Sequence, residues 1–370
     1  MTGATLNRHT WLFLLALSML TFWGHDAISY GLLLLAVIAQ GSFREFGRTM
    51  VNSSAIFCFI AFIIIYGSWK MAVGDIPRLR AILVWGQFTV LTVLMAFVKN
   101  KSEMLQSTGL LMTIMFILDF ATNVLLICGF DIPWSEVPPI RDGETYARLG
   151  GFFNNHLYSG SITTYFIFYY LSVERKRRSV PFKLLFLFSF INLIFIGSYR
   201  FYSILILVAF IKFFPSWRRG DRLSASILIF SALMTFSTLA TPWLGSNDWR
   251  ITIWVKSFVS MIDNPLGQGL QSPEIGLIRR WDAQGLFDAG ITESGMLLCG
   301  ISFGIIGVLW LLWVYISAFR STKRDTPQLA IYCLFYTFYS LCFSSFLENP
   351  LDIVINALAI YLISNRRHES

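Results

Sequence analysis

The sequence predicts an all-α, polytopic integral membrane protein of about twelve transmembrane helices, organised as a single membrane domain over 1–370. Three observations carry that reading. Only 14% of the residues are charged and 55% are hydrophobic, whereas a soluble domain carries roughly a quarter charged residues. Hydrophobic runs of roughly 14 to 26 residues recur from end to end, and a helix needs about 20 to cross the hydrocarbon. Lys and Arg gather in alternate connections. The runs are continuous rather than alternating in polarity, which argues against a β-barrel.

The spans read as 10–23, 27–41, 53–69, 79–98, 106–130, 152–173, 182–198, 201–214, 223–241, 291–318, 329–346 and 351–364. The first could pass for a signal peptide, but TFWGHD is a poor cleavage site, so it reads as a retained span. The 182–214 region could also be one tight helical hairpin. With the N-terminus inside, the cytoplasmic segments hold 19 of the 29 Lys and Arg. The positive-inside rule therefore places both termini in the cytoplasm. ERKRR (174–178) alone supplies four of those cations. It reads first as an orientation signal and second as a site for anionic lipid heads. The net charge of +8 is mostly this topology signal. No basic face on a soluble domain suggests nucleic acid.

The external connections differ in kind. Two are long, 131–151 and 242–290, the second running on into FDAGITESG. Both are rich in Pro, Gly and Trp, and loops of this length are usually functional or disordered. Trp134, Trp243, Trp249, Trp254 and Trp281 favour an ordered loop or interface. The stretch RITIWVKSFVSMIDNPLGQGL reads as a short amphipathic helix near the membrane surface, stopped by Asn-Pro and a Gly-rich turn.

External arginines run against the positive-inside rule and need a reason. Arg148 opens RLGGFFNNHLYSG, ahead of a glycine pair, Arg200 sits in the turn GSYRFYS, and Arg250 opens the amphipathic helix; Arg279 and Arg280 lie at the far end of the same loop. Each alone fits an ion pair or a snorkelling anchor. Three in separate segments on one side suit the oxygens of a pyrophosphate, which guanidinium forks grip well. The acids Asp288 and Glu293 stand at the outer mouth of the 291–318 span. Glu293 reads either as a first-turn acid in an N-cap region of Thr292, Glu293 and Ser294, or as a general base at a membrane cavity. Asp119 is the clearly intramembrane acid. It is a functional candidate by default, and it reads more simply as a hydrogen-bonding partner of a neighbouring helix, with Asn123 one turn away. The five cysteines form no ligand set and read as core residues. The four histidines are scattered, so no metal site is expected.

Together these motifs resemble the O-antigen ligase and polymerase superfamily of bacterial envelope glycosyltransferases. ESGMLLCGISFGIIG (293–307) looks like that family's span signature, a polar pair followed by a G-x-x-G that here is Gly304 and Gly307. RLGGFFNNHLYSG is similar to an Arg-x-x-Gly-x-Phe pattern with an Asn-rich turn, carrying Arg148, Gly151, Phe153 and Asn155. GSYRFYSILILV resembles the Ser-Arg turn, with Arg200 displaced by one residue. RITIWVKSFVSMIDNPLGQGL resembles the Arg, Trp and Pro-Leu-Gly-x-Gly run of the periplasmic loop, carrying Arg250, Trp254, Pro265, Leu266, Gly267 and Gly269. The likeness covers about 145–310; the rest matches only as spans.

The resemblance implies a GT-C-like, multi-pass protein of a Gram-negative inner membrane with its site facing the periplasm. It implies undecaprenyl-pyrophosphate-linked glycan substrates, no metal and no cofactor, and a length-regulating protein partner. Ligases of the family usually carry His-Asn where this chain has Glu293-Ser294. Polymerases more often carry an acid there, so the departure points to polymerase. On that reading Arg200 and Arg250 hold the donor pyrophosphate, with Arg148 on the acceptor head or assisting with the donor. Glu293 is the base with Asp288 in reserve, and Arg279 and Arg280 position glycan or lipid phosphate. The rival readings are an O-antigen ligase, a flippase or transporter of lipid-linked oligosaccharide, and a scaffold. A transporter is disfavoured by the absence of a repeat between the halves, and a scaffold leaves the arginines unexplained.

Overall fold

The computed structural model describes residues 27–73, 79–135, 149–174, 178–197, 248–271, 274–282, 285–291, 294–322, 326–343 and 349–365, together with Phe13, Leu15, Ala16 and Val137. Eleven α-helices lie among these residues: α1 (Ala27–Gln40), α2 (Phe43–Asn52), α3 (Ser54–Ala72), α4 (Leu79–Ala96), α5 (Lys101–Ile127), α6 (His156–Ser172), α7 (Val180–Ile196), α8 (Asp248–Asp263), α9 (Gly295–Arg320), α10 (Gln328–Phe343) and α11 (Pro350–Asn365). Nine of them coincide, to within a few residues, with spans expected from hydropathy. The expected spans 201–214 and 223–241 lie outside the described residues. Three helices, α3, α5 and α9, are long and apolar enough to cross a membrane. This is the architecture of a helical membrane protein.

Two segments depart from the sequence reading. The connection between the expected spans 27–41 and 53–69 contributes to a ten-residue helix, α2. Its apolar residues are too few and too interrupted to register as a span. The long loop was expected to hold short amphipathic helices. It holds one, α8, and then a two-stranded antiparallel hairpin, β1 (Glu274–Asp282) and β2 (Gly285–Ile291). Ile, Leu, Phe and Trp recur through 275–291, and such residues favour extended pairing.

The chain divides into two compact units. The first comprises Met1–Ser42, Phe97–Ser237 and Lys323–Leu334. Its described core is α5, α6 and α7 packed on one another. Rings fill the seams: Phe116 stacks on Phe166 at 4.5 Å and Tyr170 on Phe186 at 4.1 Å. Gly109 lets α5 approach the Tyr169 ring, which a Cβ there would strike. At the cytoplasmic end expected from charge, Arg178 folds back on the C-terminus of α6. Its Nε and Nη2 donate to Val173 O at 3.0 and 2.8 Å, and Nη2 also donates to Leu171 O at 3.2 Å. The guanidinium lies 4.5 Å from the centre of the Tyr170 ring. A cation there answers the free carbonyls and the negative end of the helix dipole. One residue of the ERKRR run therefore has a structural task beyond orientation.

The second unit comprises Phe43–Ala96, Thr238–Thr322 and Phe335–Ser370. Helix α11 is buried along its whole length from Pro350 to Ser364. At 16 residues it extends ~24 Å, short of the roughly 30 Å hydrocarbon core, and its burial means that protein surrounds it. Its polar side chains are answered by neighbours. Asn356 Oδ1 accepts from Thr337 Oγ1 at 2.8 Å and from Tyr315 OH at 3.1 Å. Tyr361 OH donates to Thr92 O at 2.9 Å. Asp352, in the first turn, is buried at 1% exposed, a second enclosed acid beside the Asp119 expected from the sequence.

Overpacking a close helix crossing costs about 1–3 kcal/mol. Gly109→Leu should destabilise the protein by about 2 kcal/mol, read from denaturant-induced unfolding of the purified protein in detergent.

Candidate functional site

Two places in the described structure hold backbone and side chains in arrangements that ordinary span packing does not need. One is in each unit.

In the first unit the turn after the 131–148 segment leaves helical geometry and docks on Asp119. Gly151 has φ +56°, and a Cβ there would run into the Asp119 carboxylate. Asp119 Oδ1 accepts the Phe152 N–H at 3.1 Å, while Oδ2 accepts from Asn192 Nδ2 at 2.9 Å and from Ser159 Oγ. Asn192 Nδ2 also donates to Thr163 Oγ1 at 2.9 Å, and Asn192 Oδ1 accepts from Asn123 Nδ2 at 2.8 Å. Leu149 N donates to Phe195 O at 3.1 Å, and Ser135 Oγ donates to Gly151 O. Asp119, Asn123, Ser159, Thr163 and Asn192 are all fully buried. Asp119 does bond neighbouring helices, as expected. Its partners are Ser159 and Asn192, and Asn123 joins through Asn192. A carboxyl group buried in this way is held by hydrogen bonds from three donors. Its chemistry is that of an anchor for the 149–155 turn.

Ser159, Thr163 and Asn192 were missed in the sequence. A signal was present. Asp119/Asn123 and Ser159/Thr163 are each spaced i, i+4 inside apolar helices, which puts each pair on one face.

In the second unit, α9 starts at Gly295 with Ser294 as its N-cap. Ser294 is 1% exposed and its Oγ accepts the Leu297 N–H at 3.3 Å. Of the three residues expected in the cap region, Ser294 fills the position. Nine residues on, α9 breaks. Gly304 has φ +68° and ψ −166°, a conformation essentially reserved for glycine. The turn Asn264–Gly267 lies against the break. Gly267 N donates to Asn264 O at 2.8 Å, closing a β-turn with Pro at its second position. Ile305 N donates to Pro265 O at 3.0 Å, and Gln268 N donates to Ile301 O at 2.7 Å. Tyr66 OH reaches the carbonyls of Leu266 and Gly267. Phe303 packs on Trp85, ring centres 4.8 Å apart, and the Trp85 indole donates to Ser302 Oγ at 3.3 Å.

The candidate residues themselves distribute as follows. Arg148, Arg200 and Glu293 lie outside the described residues. Arg250 falls in the first turn of α8, and Arg279, Arg280 and Asp288 fall in the hairpin, where Arg279 pairs in register with Asp288 and Arg280 with Phe287. For these four the backbone alone is described. Among the described residues no three His, Cys, Asp or Glu side chains gather as a metal site. A groove of about 420 Å³ opens between α3 and α9, lined by Ser54, Ala55, Cys58, Ile306, Leu309, Trp310 and Trp313. It carries no charged group and so does not suit a phosphate.

Compared with models of known protein families and with curated protein sequences, the chain matches none.

Asp119→Ala would leave the Phe152 N–H and the Ser159 and Asn192 donors buried without their acceptor, each such loss being worth about 1–3 kcal/mol. Thermal unfolding in detergent should show a clear loss of stability, with Asp119→Asn intermediate because an amide oxygen keeps part of the acceptor.

Proposed function

We propose that the protein is a polymerase of lipid-linked surface polysaccharide. In this reading it is a twelve-span, GT-C-like glycosyltransferase of a Gram-negative inner membrane, with both termini cytoplasmic and its site on the periplasmic face. It transfers a growing glycan from undecaprenyl pyrophosphate to a lipid-linked repeat unit. The observation that carries the reading is the meeting of two motif stretches. PLGQG of the long loop and the Gly304 of ESGMLLCGISFGIIG lie backbone to backbone, although 34 residues, the hairpin among them, separate Gly269 from Gly304. Two sequences that carry the resemblance thus form one piece of structure at the break in α9. A membrane enzyme needs such a braced external loop, because its reacting groups must be held in place.

In the reaction an acceptor hydroxyl attacks the anomeric carbon of the donor glycan. A new glycosidic C–O bond forms, and the bond to the pyrophosphate oxygen breaks. The departing lipid pyrophosphate carries the developing negative charge, which Arg200 and Arg250 stabilise in a water-poor setting. Arg148 holds the acceptor head or assists with the donor. Glu293 orients the hydroxyl and takes its proton late in the step, with Asp288 able to substitute. Arg279 and Arg280 steady glycan or lipid phosphate. A chain-length regulator is the expected protein partner. No metal or cofactor is assigned a role. The ligase alternative, transfer of glycan to lipid A-core, rests on the same motifs and is disfavoured by Glu293-Ser294 in place of His-Asn. A flippase ranks below both.

The test is deletion of the gene and a gel of the surface polysaccharide. Core capped by a single repeat unit is the expected outcome. Bare core, with polymer accumulating on the carrier lipid, would establish the ligase instead. Complementation refines the site. At normal protein level, Arg200→Ala and Arg250→Ala should each abolish chain extension, and Glu293→Gln should reduce it at least about 100-fold, the usual scale of general-base loss. Full-length polymer from either arginine variant removes the pyrophosphate clamp. Parental polymer from Glu293→Gln removes the base.

A further inference from the structure

The break in α9 is filled by borrowed hydrogen bonds. In a continuous helix Ile305 N would donate to Ile301 O, four residues back. Here Ile305 N donates to Pro265 O, and Ile301 O accepts from Gln268 N. The two helical groups that would satisfy each other are both satisfied by one four-residue piece of the external loop. The fit is made by two facing glycines. A Cβ on Gly304 would strike Pro265 O and the Leu266 carbonyl carbon, and a Cβ on Gly267 would strike Gly304 N and the backbone of Phe303. Both have positive φ, +68° and +81°. Tyr66 holds the loop piece from outside through its carbonyls.

We propose that the Asn264–Gln268 turn is a removable strap, and that strap and helix break form one two-state element. With the strap seated, α9 is broken at Gly304. With the strap lifted, Ile305 N and Ile301 O bond each other and α9 becomes continuous. In either state Ile305 N and Ile301 O are both paired. Pro265 O and Gln268 N are the two groups that lose their helical partners, and they lie at the loop side, where Asn264, Pro265 and Leu266 are exposed, Gln268 is half-buried and water can receive them. That distinguishes this break from one held open by a proline, whose missing N–H cannot be restored. The strap links α8 to the hairpin, so its movement carries Arg250 on one side and Arg279, Arg280 and Asp288 on the other. Straightening also moves Ile306, Leu309, Trp310 and Trp313, which line the apolar groove. External loop and membrane groove are thereby coupled through one hydrogen-bond exchange. The proposal concerns the element itself and stands whether the enzyme is polymerase, ligase or neither.

Hydrogen exchange of the purified full-length protein, read by fragment, tests it. Gly304→Ala is the key variant. Alanine is strained in the broken state and is the better residue, by about 1 kcal/mol, in a continuous helix. Its Cβ also collides with the strap. The expected result is exchange at 264–270 accelerated at least about tenfold while 303–308 stays protected, because α9 has closed on itself. Unchanged protection of 264–270 would overturn the proposal, since the strap would then stay seated without its glycine. Loss of protection in both fragments would overturn it too, since the helix would then fray instead of closing. Tyr66→Phe supplies a milder variant that removes the hydroxyl alone and keeps the ring contact with Phe303 of α9. Losing one hydroxyl contact should speed exchange at 264–270 by about fivefold with 303–308 unchanged, and no acceleration there would count against the strap.

Discussion

A backbone N–H or carbonyl in the hydrocarbon has no water to turn to, and each one left unpaired there costs several kcal/mol. Regular helix meets this demand automatically. The informative places are those where the chain leaves the helix while still enclosed. There are two such places among the described residues, the 149–155 turn and the break at Gly304. In both, specific partners answer freed groups: Asp119 takes the Phe152 N–H, Ser135 donates to Gly151 O, and Pro265 O and Gln268 N pair with Ile305 N and Ile301 O. The buried acid, the positive-φ glycines and the close approach of the Asn264–Gln268 turn to α9 fit that requirement.

The two units meet it by different means. In the first, a side chain supplies what the backbone lacks. Asp119 offers two acceptor oxygens and takes the Phe152 N–H, the Ser159 hydroxyl and the Asn192 amide. The arrangement draws together α5, α6, α7 and the turn, so removing the acid would strand several donors at once. In the second, backbone replaces backbone. Pro265 O and Gln268 N stand in for the helical partners of Ile305 and Ile301. A side-chain anchor of the first kind has a single satisfied state and is rigid. A backbone substitution of the second kind has an alternative satisfied state in the helix itself, which is why only the second can act as a switch.

Much of the fold was legible in hydropathy, because nine helices bury or present apolar residues over lengths that no loop would sustain. Ends were legible where chemistry marks them, as with Ser294 before Gly295. Helix α2 was not legible as a helix: FREFGR reads as a charged connection, and only its packing reveals the face that buries Thr49. The hairpin was hidden by its glycines and arginines. Asp352 was hidden by its position after Asn349-Pro350, where an acid looks like an ordinary first-turn residue at a water-facing end. Its burial comes from the packing of other helices around α11, and hydropathy carries no record of that. At the candidate sites the sequence could name Asp119 as exceptional but could not choose its partners, which come from helices 40 and 73 residues away. The arginines were legible only as residues that break the charge rule.

The G-x-x-G of α9 shows why a motif must be resolved into its members. In membrane helices such spacing usually means a smooth face for close packing with another helix. Here the two glycines have unlike tasks. Gly307 is an ordinary helical residue whose missing Cβ leaves room for Phe303 Cβ and Cys299 Sγ of its own helix. Gly304 is not helical at all. Its φ of +68° opens the backbone so that the external loop can reach in. Alanine at 307 would press on two neighbouring side-chain atoms, whereas alanine at 304 meets fixed backbone of the loop. Gly267 is the matching requirement on the loop, which makes the PLGQG and ESG stretches one structural unit written in two parts of the sequence. A chain that kept one and lost the other would have no use for either, and that mutual dependence gives the pair more weight as a functional signature than each short motif has alone.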